Sequence, residues 1–205
     1  MKTVFESVCA WNAARYEQEF NLELANKLLT EEYRDEWLPA FRKLHAGERS
    51  LANEVECLDA LADIAYVAMG VAWKAGCDWD ALSLAQYRIL DAQADAMCAW
   101  PQLAPGFFIG GLIDSFNFDM EQGVYDTMAM IINACTAEAM YTLGLTEEQF
   151  TEAMRVVCNS NNSKSVKRVA SDVKANAGDK GPFYVSPKLG LTKILEQVHE
   201  QGRNL

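Results

Sequence analysis

Two short segments concentrate carboxylates at helical spacing. In TEEYRDEW, the acids Glu31, Glu32, Asp35 and Glu36 fall within about one helical turn, and residues three and four apart are neighbours on a helix surface. In EVECLDALAD, Glu56, Asp59 and Asp63 stand at i, i+3 and i+7 and line one stripe, flanked by the apolar Leu58, Leu61, Ile64 and Val67. Like charges at that spacing repel, and an ionised acid on the edge of an apolar helix is costly unless something neutralises it. A divalent cation removes the conflict. Oxygen donors suit Mg²⁺, with Mn²⁺ able to substitute, and such an ion grips phosphate oxygens and lowers the pKa of a bound water. The metal candidates are therefore Glu32, Asp35, Glu36, Glu56, Asp59 and Asp63. The alternative is that acids on helices form an ordinary solvated face; Asp59 and Asp63 fit it less well because they interrupt the apolar run LDALADIAYVAMGVAW.

Helices must position these groups. Val4, Val8 and Trp11 predict a first amphipathic helix ending near Asn21, and Leu24, Leu28, Trp37 and Phe41 a second over 22–44, with a kink or early stop at Pro39. Gly47 separates this from a third helix over 49–75, closed by Gly76. Two helices joined by so short a loop are antiparallel, which lets their acidic stripes face each other. A fourth helix is expected from Asp78 or Asp80 to Trp100, and PGFFIGGLIDSFNF is expected to be a loop that packs on a partner subunit or covers a pocket. Further on, a helix over 121–143 precedes a capping box at Thr146 that opens a helix to about Val157. An irregular tail over 159–190 and a closing helix from Thr192 to Gln201 complete an all-α bundle, read as one domain over 1–205.

The tail carries the positive charge that a bound polyphosphate requires. Asn161 and Lys164 are candidate phosphate or ribose contacts, with Lys180 and Tyr184 behind them; Lys167, Arg168 and Lys174 lie in the same stretch. Trp11 and Asn12 are candidates to stack on and hydrogen-bond a nucleobase, although an aromatic on a helix is more often core. His45 and His199 sit in polar surroundings and read as surface residues. The sequence offers no Ser-His-Asp or Cys-His arrangement and no GxxxxGK phosphate loop.

The segments around these acids resemble the all-α NTP pyrophosphatase superfamily, which includes the MazG-like proteins, the dimeric dUTPases and phosphoribosyl-ATP pyrophosphohydrolase. Its EExxE motif corresponds to Glu31, Glu32 and Asp35, with Asp in place of the last Glu and Glu36 beside it; its ExxD motif corresponds to Glu56 and Asp59. DALADIAYVAMGVAWKAGCD, VVCNSNNSK and KGPFYVSPKL are similar, in that order, to blocks of a phage and bacterial subgroup. The resemblance implies a helical bundle in which residues 81–145 are an elaboration. It also implies Mg²⁺-dependent hydrolysis of a (deoxy)nucleoside triphosphate to monophosphate and pyrophosphate, including dATP or dGTP in control of a phage nucleotide pool. Glu31, Glu32 and Glu36 become the catalytic candidates, and a homodimer or homotetramer is implied as well. The rivals are phosphoribosyl-ATP or another nucleotide as substrate, and a non-enzymatic helical interaction protein.

Composition narrows the classes further. A formal net charge of −11 argues against binding nucleic acid, which needs clustered Lys and Arg. The six cysteines form no C-x-x-C pair and read as thiols in a reducing cytoplasm, the host's if the protein is viral. No stretch approaches the roughly 18 apolar residues that span a bilayer, so no membrane partner is expected.

Overall fold

The computed structural model describes residues 1–88, 105–115, 123–164 and 180–202. Among these residues every regular element is helical: α1 (Lys2–Ala13), α2 (Leu22–Glu31), a π-helical turn (Glu32–Trp37), α3 (Leu38–His45), α4 (Leu51–Lys74), α5 (residues 79–88), α6 (Pro105–Ser115), α7 (Val124–Leu143), α8 (Glu147–Asn162) and α9 (Lys188–Gly202). No single helix is long and apolar enough to cross a membrane among the described residues.

The bundle is organised around α4. Its 24 residues extend about 36 Å at 1.5 Å per residue, and Leu58, Leu61, Ile64, Ala65, Ala68 and Met69 are fully buried on several faces. A helix that is apolar nearly all round must be surrounded, and α4 packs against α1, α3, α7, α8, α9 and the π turn. Its start is fixed by Ser50, whose hydroxyl accepts from the Asn53 N–H at 3.2 Å. The expected capping box at Thr146 is present in both directions, Gln149 N–H to Thr146 Oγ1 and Thr146 N–H to Gln149 Oε1. Gly76 and Gly144 end helices with φ of +89° and +72°.

Pro39 acts otherwise than expected. The chain does not stop there; it widens into the π turn just ahead of it, and Pro39 sits at the opening of α3. Proline has no N–H to give the carbonyl four residues back and its ring crowds that carbonyl, so a wider turn before it lets the helix continue. The opposite face of this stretch is an aromatic ladder at i, i+4: Tyr33 on Trp37 at 5.4 Å between centroids, Trp37 on Phe41 at 4.6 Å, and Phe41 on His45 at 4.1 Å. Trp37 is 1% exposed and anchors the turn to the core.

Several boundaries differ from expectation. α1 ends at Ala13 rather than near Asn21. The glycine-rich segment expected to be a loop is in part α6, a helix over Pro105–Ser115 that packs on α7 and α2. Its glycines look like breakers in one dimension but serve contact in three: a Cβ on Gly110 would lie 2.2 Å from the Tyr33 hydroxyl. The tail is shorter at both ends, since α8 continues to Asn162 and α9 begins at Lys188. Residues 89–100 of the expected fourth helix, and Lys167, Arg168 and Lys174 of the tail, lie outside the described residues.

Candidate functional site

α2, the π turn and α4 frame a cavity of about 530 Å³ whose other walls come from α1, α8 and the segment over 180–188. Its polar end is acidic. Glu32 and Glu36 reach in from the π turn, Asp59 and Asp63 from α4. One carboxylate oxygen each of Glu32, Glu36 and Asp63 can be chosen so that all three lie within 4.8 Å of one another.

The π turn decides which acid of the first segment joins them. In an ordinary α-helix Asp35 and Glu36 flank the azimuth of Glu32 almost equally. A π turn needs one more residue to come round, as the Leu38 N–H to Tyr33 carbonyl bond shows. Asp35 is thereby carried off the cavity, while Glu36, also exposed, remains in its lining. Glu31 is half-buried and outside the cavity lining.

Glu56, expected among the metal ligands, is not at the focus. It lies on the exterior and pairs with Lys43 at 2.9 Å, both side chains 45% exposed. The reason is register: Glu56 precedes Asp63 by seven residues and Lys43 follows Glu36 by seven, so in an antiparallel pair they meet two turns nearer the connecting loop. The convergent set on α4 is instead Asp59 and Asp63, at i and i+4.

Asp59 and Asp63 hold their protons unusually well. Burial comes first for Asp63 and pushes it well above the carboxylate range, followed by repulsion from Asp59, Glu32 and Glu36; Lys164 opposes the shift. Asp59 is pushed up to about 6, by burial first and then by Glu36, against Lys188, Lys180 and Lys164. Asp59 Oδ1 is buried without a hydrogen-bond partner. A buried carboxylate oxygen left open beside three more acids is the environment expected of a divalent-cation site, and the all-oxygen donor set is the one Mg²⁺ prefers.

All the substrate-contact candidates described, Trp11, Asn12, Asn161, Lys164, Lys180 and Tyr184, line this cavity. They are tied together. The Trp11 indole donates to the Asn161 carbonyl at 2.9 Å, Lys164 Nζ donates to Asn161 Oδ1, Ser160 Oγ donates to the Tyr184 hydroxyl at 3.4 Å, and Lys180 Nζ stands 4.9 Å over the Tyr184 ring. The segment over 180–188 is pinned to α8 by the Val185 N–H to Ser163 Oγ bond at 2.8 Å.

Sequence reasoning missed Arg15, Tyr66, Lys74 and Lys188. Arg15 is buried, lies 4.2 Å over the Trp11 ring and donates to the carbonyls of Trp11 and Lys164, clamping the end of α1 to the end of α8. Tyr66 and Lys74 continue the stripe of Asp59 and Asp63 along α4, so helical spacing from the acids was the available signal. The far end of the cavity is apolar and aromatic, lined by Tyr16, Phe20, Leu24, Leu28, Val67 and Val71. Compared with protein-family models, with curated proteins and with solved structures, the chain matches none.

Proposed function

We propose that this chain hydrolyses a nucleoside triphosphate to the monophosphate and pyrophosphate with Mg²⁺. The observation that carries the reading is the convergence of Glu32, Glu36 and Asp63 at one end of a cavity whose walls also hold Lys164, Lys180 and Lys188 and whose other end is aromatic. The resemblance of the acidic and tail segments to the all-α NTP pyrophosphatases points the same way, and the all-helical architecture is compatible with it.

Glu32, Glu36 and Asp63 would hold the metal, whose chemistry when bound is to draw phosphate oxygens to an acidic protein and to acidify an attacking water. Asp59 stands outside the tight trio, has an open oxygen and titrates near 6; it is suited to take the proton from water. The three lysines offset the triphosphate charge that the metal leaves, and Trp11 and Tyr16 present aromatic surface to a base. Much of the rate would come from positioning and charge stabilisation.

Pyrophosphate release measured over dNTPs, NTPs and phosphoribosyl-ATP tests the reading, with Mn²⁺ calorimetry beside it. The expected result is turnover of nucleoside triphosphates that needs Mg²⁺ and is lost in Glu36→Gln. Turnover confined to phosphoribosyl-ATP would replace the substrate. Absence of both turnover and Mn²⁺ binding would leave a helical interaction protein.

A further inference from the structure

The cavity's apolar end carries polar groups that the phosphate chemistry does not use, Asn12 and Lys74 among them. Along α4, Asp59, Asp63, Tyr66, Gly70 and Lys74 all face the cavity. Lys74 follows Asp63 by eleven residues, about 16 Å along the axis, a span comparable to an extended nucleotide from its phosphates to the far edge of its base. Lys74 Nζ lies 4.5 Å over the Tyr16 ring, and Tyr16 lines the same end. Burial holds its ammonium below the ordinary lysine range, against Glu19; a desolvated donor at that depth favours a hydrogen-bond acceptor on whatever enters.

Asn12 supplies the complement. It is 6% exposed, and its Nδ2 donates to the Val8 carbonyl at 2.9 Å. That bond fixes the amide's orientation and engages Nδ2, so Oδ1 is the atom with which Asn12, a residue of the cavity lining, can accept. The amide lies flat on α4 because residue 70 is glycine: a Cβ there would stand 3.2 Å from Asn12 Nδ2.

An amide held by its own hydrogen bond and a half-buried cationic donor line the same cavity. We propose that Lys74 and Asn12 select bases with a lactam edge, a ring carbonyl beside a ring N–H, as in guanine, hypoxanthine or uracil. Lys74 donates to the carbonyl oxygen and Asn12 Oδ1 accepts from the N–H. Adenine and cytosine present an amino group where Lys74 needs an acceptor and a bare ring nitrogen where Asn12 needs a donor, so both contacts turn repulsive. Polar groups left unpaired in a buried site discriminate strongly. This inference rests on the hydrolase reading for the placement of the phosphates, but its test does not depend on turnover.

Binding of dIMP and dAMP is compared by quenching of tryptophan fluorescence, which Trp11 in the cavity wall should report, and kcat/KM is compared for dITP, dATP, dGTP, dUTP and dCTP. Native protein should favour dIMP over dAMP, and dITP over dATP, by about tenfold or more. Lys74→Met should bring both ratios within about threefold while Mn²⁺ affinity holds. A preference repeated for dUTP over dCTP assigns selection to the lactam edge alone, and one confined to purines adds a size requirement; either supports the proposal. Equal binding of dIMP and dAMP, a preference for dAMP, or a ratio unmoved by Lys74→Met would overturn it. Failure of the hydrolase reading would show differently, as nucleotide binding without pyrophosphate release.

Discussion

α4 buries carboxylates at two places, and they are built differently. Near its start, Glu54 is 3% exposed and fully partnered by the chain: Arg49 Nε meets one oxygen at 2.7 Å and His199 Nε2 the other at 2.8 Å. Arg49 also donates to the Thr142 carbonyl at 2.6 Å, which ties α9 and α7 to the head of α4. Further along, Asp59 and Asp63 have acids for neighbours, lysines across the cavity, and in Asp59 an oxygen with no hydrogen-bond partner among the described residues. Where the fold needs a buried acid for its own cohesion it brings the cation along. At the second place the nearest neighbours of the acids are other acids. Glu138 marks a third case, a core carboxyl whose one oxygen accepts from the Thr142 hydroxyl and whose other has no partner; burial raises its pKa, and it lies outside the cavity lining.

The contrast can be broken most sharply at the metal candidates. Glu36→Gln and Asp63→Asn should each weaken Mn²⁺ binding and turnover by about a hundredfold or more, while the melting temperature in chelator holds or rises because a repelling charge is gone. Calorimetry and melting curves on the same preparations check both halves. Glu54→Ala should behave oppositely. Stability should fall by about 2 kcal/mol, because Arg49 and His199 lose their shared partner, and Mn²⁺ affinity of the folded fraction should stay near native.

The pH dependence sharpens the same distinction. Asp59 titrates near 6 in the folded chain against an ordinary 3.8. Between those values the folded protein keeps a proton on Asp59 that the unfolded chain has lost, so metal-free stability should fall as pH rises through that window, with Asp63, also raised, adding to the fall. Asp59→Asn should remove the Asp59 share of this slope, leaving that of Asp63, and add stability on the order of 2 kcal/mol at pH 7 in chelator. A denaturant series from pH 4 to 7 measures it, and a slope unchanged in the variant would count against the burial account.

The smallest effects belong to the acids that face water. Glu56→Gln and Asp35→Asn should change stability by less than about 1 kcal/mol, as exposed ion pairs generally do, and should leave turnover within about twofold of native. A large loss of metal binding in Glu56→Gln would return that residue to the site and refute the register argument.

Much of this was legible without coordinates. Helical period, the cap at Thr146 and the glycine stop at Gly76 are local signals, and α4 and α7 fall close to where they predict. Glu32, Glu36, Asp59, Asp63, Asn161 and Lys164 were each singled out, and the fold brings them to one cavity. The errors share a cause. Glu56 sits on the right stripe but opposite Lys43, Asp35 has the right chemistry on the wrong side of a π turn, and Gly110 resembles a breaker until Tyr33 is placed against it.

Residue type and spacing by themselves determined that the chain is helical, that two neighbouring helices carry acidic stripes within apolar runs, and that lysines follow near its end. Those properties depend on neighbours within about a turn, where the period of the helix leaves little choice. Only the tertiary structure decided which acids share a focus and which find a cation of their own, and that Lys74 and Asn12 face one compartment. Such choices depend on the register between packed helices and on one widened turn beside Pro39, and distances across a packing interface are not encoded in the period of either helix.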